Sequence, residues 1–179
     1  MTKKGRGRDY IAFMPLVSFA SLPDDARVWV FGSTEELSSD SEQTLLAAVD
    51  DYLSDWRAHG SPLTAARDWR DGRFLAVAID QRSENASGCS LDAMFRVLQG
   101  LERQIGASLL GNARVYFRAD DGSVQVTDRA GFASLAQEGS IGPETEVFDL
   151  SVPTAGEWRN RFATRAADSW HGALLPATR

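Results

Sequence analysis

The sequence predicts an α+β fold, and three observations carry that reading. Two runs, Arg27-Val28-Trp29-Val30-Phe31 and Phe74-Leu75-Ala76-Val77-Ala78-Ile79, are apolar on both alternating faces, the pattern of strands buried on two sides. Two longer stretches place apolar residues at helical spacing, first Leu45, Leu46, Val49, Leu53 and Trp56, then Leu91, Met94, Phe95, Leu98, Leu101 and Ile105. Two Asp-Gly turns, Asp71-Gly72 and Asp121-Gly122, are flanked by extended runs and mark hairpins. In chain order the elements read β-α-β-β-α-β with an added strand, the split βαβ or ferredoxin-like order. That order predicts the two doubly apolar strands to be the central pair.

Local signals justify each element. Gly32-Ser33 ends the first strand, and Ser39 with Glu42 forms a capping box for the first helix. His59-Gly60, with Pro62 just beyond, is expected to close that helix. Residues 63–69 form the polar, edge-type arm of a hairpin that returns through the second apolar run. The second helix is expected from near Ser90 to about Gly111-Asn112. Residues 114–119 and 123–127 make another hairpin, 132–137 a short helix ended by Gly139, 144–150 a strand, 156–165 a helix and 169–175 a last turn. The organisation expected is a flexible or mis-assigned leader (residues 1–25), an α+β core (26–130) and a C-terminal α/β extension packed on it (131–179).

Composition excludes several function classes. The chain has 179 residues, 43% hydrophobic, with a net charge of -6. An acidic chain lacks the concentrated basic face of a nucleic-acid binder. Both lysines, Lys3 and Lys4, sit at the N-terminus, and all later positive charges are arginine. The single cysteine rules out an internal disulfide framework. No run approaches the roughly 18 apolar residues of a membrane span. The basic start followed by a short apolar run broken by Pro15 is a weak match to a signal peptide, and a cytoplasmic location is expected. One Cys and two scattered His give no paired ligand spacing, so no metal or cofactor is expected. The acidic pairs Asp24-Asp25, Glu35-Glu36, Asp50-Asp51 and Asp120-Asp121 point apart on regular backbone and read as surface.

The candidate site is Ser87-Gly88-Cys89-Ser90-Leu91-Asp92, the turn that opens the second helix. In the expected topology both helices start at one end of the sheet, so free backbone N–H groups and a helix dipole converge near Cys89 and favour its thiolate. A thiol reading makes Cys89 the nucleophile, with His171 or His59 as base. An anion-binding reading uses Ser87, Gly88, Ser90 and Asp92 with no thiol chemistry. Capping competes with both, since Ser87 or Ser90 suits a helix start and a small buried Cys is common. His59, read as the last turn of the first helix, suits that helix dipole.

Two resemblances accompany these residues. Arg27-Val28-Trp29-Val30, Trp56-Arg57-Ala58-His59-Gly60, the Ser87 to Asp92 turn and Ser169-Trp170-His171 together resemble an uncharacterised bacterial protein family whose members are often labelled "ABC transporter ATPase", over residues 26–175. If members share these blocks, the resemblance implies one site of Cys89, His59 and His171. The label's activity requires a GxxxxGK[ST] phosphate loop, and there is no lysine after Lys4, so that ATPase activity is rejected. Residues 114–150 faintly resemble GYF-type adaptor modules, without their aromatic signature. The function expected is a non-catalytic domain that binds a small anion or a protein partner, with self-association into a homodimer as a companion expectation. The alternative is a thiol-dependent enzyme or redox sensor at Cys89.

Overall fold

The structure is a computed structural model that describes residues 16–58, 61–82, 88–111 and 113–177. In chain order the elements are β1 (Arg27–Gly32), α1 (Ser39–Ser54), β2 (Arg57–Ala58), β3 (Ser61–Pro62), β4 (Ala65–Arg70), β5 (Phe74–Ile79), α2 (Gly88–Ile105), β6 (Arg114–Arg118), β7 (Val124–Asp128), α3 (Arg129–Gln137), β8 (Glu146–Phe148), α4 (Ala155–Asn160) and β9 (Ala163–Arg165). Short 3-10 turns lie at Phe19–Ser21, Ala166–Asp168 and Trp170–Leu174. The chain is α+β, with two antiparallel sheets ordered β1-β5-β4 and β7-β6-β8-β9. A two-stranded ladder pairs β2 with β3.

Alternation along β5 explains how the layers stack. Leu75, Val77 and Ile79 enter a core with α1 and α2, through Leu45, Val49, Leu53, Met94, Leu98 and Leu101. Phe74, Ala76 and Ala78 point the other way, into a core with Tyr116, Phe148, Trp158 and Phe162. β6 repeats the pattern, because Tyr116 faces the first sheet while Val115 and Phe117 face Phe132 and Ala136 of α3. The order of layers is therefore α1 with α2, first sheet, second sheet, α3 with the C-terminal turns. The second sheet takes β6 and β7 from before residue 130 and β8 and β9 from after it.

Both hairpins form where the Asp-Gly signals stand. Asp71 and Gly72 both take positive φ (52° and 61°) between β4 and β5, and Gly122 (84°) turns β6 into β7. The helix ends differ from expectation. Ser38, one residue earlier than expected, caps α1 by accepting a bond from the Ser41 N–H. α1 stops at Ser54 and α2 at Ile105, each several residues before the expected glycine. Trp56 explains the first: it is 3% exposed, and its carbonyl accepts the Leu63 N–H just after β3, which a continuing helix would not permit. Gly106, at φ +68°, explains the second. β9 was not expected, and it takes the C-terminal part of the stretch read as helix 156–165.

The split βαβ expectation needs correction in two places. β1, β5 and β4 stand in its order, but β6 joins the second sheet and leaves β1 as an edge strand. β6 is apolar on both faces and is covered by two cores in the second sheet, Tyr116 in one and Val115 and Phe117 in the other. Moreover β1 and β5 are antiparallel, with Gly32 opposite Phe74 and Arg27 opposite Ile79. α1 leaves the Gly32 end and α2 follows the Ile79 end, so the two helices start at opposite ends of the sheet.

Part of the expected leader is packed. Leu16 bridges to Ala65, the Val17 N–H donates to the Ala65 carbonyl, and Leu22 is buried. No helix among the described residues is long and apolar enough to cross a membrane.

Gly32 holds the sheets at their spacing. A Cβ there would lie 2.8 Å from Cζ and 2.9 Å from Oη of Tyr116, whose ring is buried and whose hydroxyl donates to the Gly32 carbonyl at 2.6 Å. The ring packs edge-on against Phe74 and has nowhere to swing. Gly32→Ala should therefore destabilise the protein by about 1–3 kcal/mol, the usual cost of overpacking, as read from urea unfolding midpoints.

Candidate functional site

Two arginine-bearing clefts differ in whether their cations are already used. Beside β4, a cleft of about 580 Å³ is lined by Arg67, Arg70 and Arg159 together with Asp50 and Asp68. Arg67 grips Asp50 with two bonds of 2.8 and 2.7 Å. Arg70 bonds Asp68 and the Trp158 carbonyl, each at 3.1 Å, and lies over the Trp158 ring. Arg159 donates to the carbonyls of Phe19 and Leu22 and to Asp24. These side chains clamp the N-terminal segment and α4 onto β4, and a ligand anion would have to displace protein carboxylates.

Along the outer edge of β1 the balance is reversed. Two adjoining clefts of about 400 and 500 Å³ share Val30, Gly111, Leu150 and Ser151. The first carries Trp29, Phe95, Leu109 and Leu110 together with Arg27 and Ser151; among the described residues Phe95 is the large apolar side chain left exposed, at 38%. The second is lined by Arg114, Arg129, Phe148 and Trp170, with no acidic residue in its lining among the described residues. Arg129 stacks over the Trp170 ring at 5.0 Å. Arg114 donates to the carbonyls of Gly32 (3.2 Å) and Ser108 (2.9 Å) and to the Ser108 hydroxyl (2.7 Å). Neither arginine has a carboxylate partner among the described residues. Both keep guanidinium N–H groups for an incoming acceptor.

Local sequence sets these side chains in place. Gly111 allows the Arg114 guanidinium to lie directly on its backbone, where a Cβ would overlap it. Asp128 caps α3 by accepting the Gly131 N–H at 2.7 Å, which fixes Arg129 as the first helical residue. Asp149 accepts the Trp170 indole N–H at 3.1 Å and the Ser151 N–H at 2.9 Å, holding the ring that supports Arg129.

Of the residues expected to form a site, Asp92 and His171 are described, and neither lines this groove. His59 and Ser87 lie outside the described residues, as do the side chains of Gly88, Cys89 and Ser90, whose backbone forms the first turn of α2. Asp92 is exposed on α2. His171 belongs to the opposite outer layer, with two sheets between it and the layer containing α2. It is fully buried, stacked on Trp170 at 3.8 Å and tilted against Phe132. Its Nδ1 is 2.8 Å from the Ser169 hydroxyl, and its Nε2 has no partner. The arginines of the groove carried no sequence signal, because pairing with a carboxylate is decided by tertiary neighbours. Trp170 was visible only as the companion of His171.

No protein-family model, curated protein or solved structure matches the chain.

Burial holds His171 neutral. Its pKa is pushed down from the usual 6.5 to about 4 chiefly by desolvation, with Arg129 adding to the shift and Asp149 opposing it. The unfolded chain takes up a proton near pH 6.5 and the folded chain near pH 4, so stability is full above about 6.5 and falls as the pH drops toward 4. Urea unfolding at pH 7 and pH 5 should show a loss of stability that is markedly smaller in His171→Phe. An equal loss in both proteins would show that His171 is not its source.

Proposed function

We propose that this protein is a non-catalytic binding domain whose β1-edge groove holds an anionic ligand on Arg114 and Arg129, above Trp170. The observation that carries the reading is a cleft of about 500 Å³ with two arginines and, among the described residues, no acid in its lining, on a chain of net charge -6. Guanidinium groups suit carboxylate and phosphate oxygens because their N–H donors are planar and fixed in direction. Stacking on Trp170 restricts Arg129 before any ligand arrives, which lowers the ordering cost of binding. The Ser151 hydroxyl donates to Asp149, and among the described residues no histidine lines either part of the groove.

Titration with citrate and with inorganic phosphate, followed by tryptophan fluorescence, tests the reading. Saturable binding is expected, and Arg129→Gln should weaken it about fivefold, the effect of losing roughly 1 kcal/mol of charge-assisted contact. Arg129 is exposed, so its replacement should leave the thermal midpoint unchanged. Gly111→Ala should weaken binding too, by displacing the Arg114 guanidinium. Absence of saturation with either anion, or unchanged affinity in both variants, would sink the proposal.

A further inference from the structure

We infer that the ligand of this groove is an extended acidic peptide, which adds as a short strand to the outer edge of β1 and pairs its main chain with Val30. This deepens the anion-binding reading and rests on it, since Arg114 and Arg129 receive the peptide's carboxylate.

The ladder shows which main-chain groups of β1 are available. The Ser33 N–H bonds the Arg73 carbonyl and the Val28 N–H bonds the Pro153 carbonyl, both at 2.9 Å. With the register of β1 on β5, these two bonds turn the N–H and C=O of Val28, Val30 and Gly32 away from β5. Pro153 occupies the Val28 N–H, while Tyr116 and Arg114 occupy the Gly32 carbonyl. Val30, between them, has neither its N–H nor its C=O paired beyond β5 among the described residues. It borders both clefts.

That pair of groups discriminates between ligands. A simple anion accepts the Val30 N–H and leaves the carbonyl unmatched. One residue of an antiparallel peptide supplies both a donor and an acceptor at the spacing of a strand pair. Successive side chains of an extended peptide point in opposite directions, so an apolar residue beside an acidic one suits the two compartments. Phe95, Leu109 and Leu110 line the first cleft, with Arg27 at its border, and Arg114 and Arg129 line the second. In a complete split βαβ sheet this edge carries a further strand, and here β6 has gone to the second sheet. Charge complementarity selects an acidic peptide over a basic or neutral one.

The probe is a fluorescein-labelled Leu-Glu-Val-Glu-Val-Glu amide, followed by fluorescence anisotropy beside the citrate titration. Saturable binding is expected, weakened at least about tenfold when the glutamates of the peptide, whose side chains share the face of Val30 and whose N–H groups therefore meet β1, are N-methylated and when lysine replaces each glutamate. Val30→Pro removes an N–H that points away from β5 and leaves the β1–β5 ladder intact. It should cost the peptide at least about tenfold in affinity while citrate still binds. If Val30→Pro fails to fold, the N-methylated peptide on the unaltered protein decides the matter. Citrate binding without peptide binding, or equal affinity for the peptide and its N-methylated form, overturns the peptide inference and leaves the anion reading standing. Failure of both probes overturns both. A dimer by light scattering at the titration concentration, reluctant to bind peptide, would assign the edge to a second copy of the chain.

Discussion

Everything in this molecule hangs on β5 being buried on both faces. All six of its residues, from Phe74 to Ile79, are at most 1% exposed. Such a strand cannot be served by one layer of helices, so a second sheet must cover its other side. Large side chains on one face (Leu75, Val77, Ile79) meet the helices, while the alanines on the other let the second sheet approach closely. Phe74 closes that approach, since its ring lies 4.8–5.2 Å from those of Phe148, Phe162 and Tyr116. Aromatic contacts at such distances add to burial worth about 1.5–3 kcal/mol for a side chain of this size.

With one central strand, the first sheet has two edges, and they are treated differently. The β4 edge is closed by the pairing of Leu16 and Val17 with Ala65 and by ion pairs of Arg67 and Arg70. Charged side chains and a covering segment are common ways to block unwanted strand pairing. The β1 edge is engaged at the Val28 N–H and the Gly32 carbonyl, and Val30 between them has no partner on that side among the described residues.

The parts of the fold legible in the sequence are those decided locally. Asp71-Gly72 and Asp121-Gly122 gave both hairpins, because positive φ is a property of the turn itself. The two-faced run at β5 gave its central position. β1 reads much the same but is an edge strand, its half-exposed Trp29 and Val30 bordering the groove. Its neighbour is chosen by which cores β6 must fill, and that choice is made far along the chain. The same limit applies to the site. A cysteine before a helix and a histidine near the terminus are conspicuous letters, yet the structure buries His171 behind two sheets from α2. Arg114 and Arg129 are inconspicuous letters whose importance comes from the carboxylates they do not meet.

The floor of the groove is held by a side chain that never reaches it. Glu102, near the end of α2, accepts the N–H groups of Leu109 and Leu110 at 2.6 and 2.8 Å through one oxygen. Bonds from a carboxylate to main-chain N–H groups do not read the identity of the residues that carry them. Leu109 is anchored by the core, but half-buried Leu110 can drift over generations while the loop keeps its path. The groove's lining can thus diversify among descendants of this sequence without the scaffold beneath it being rebuilt.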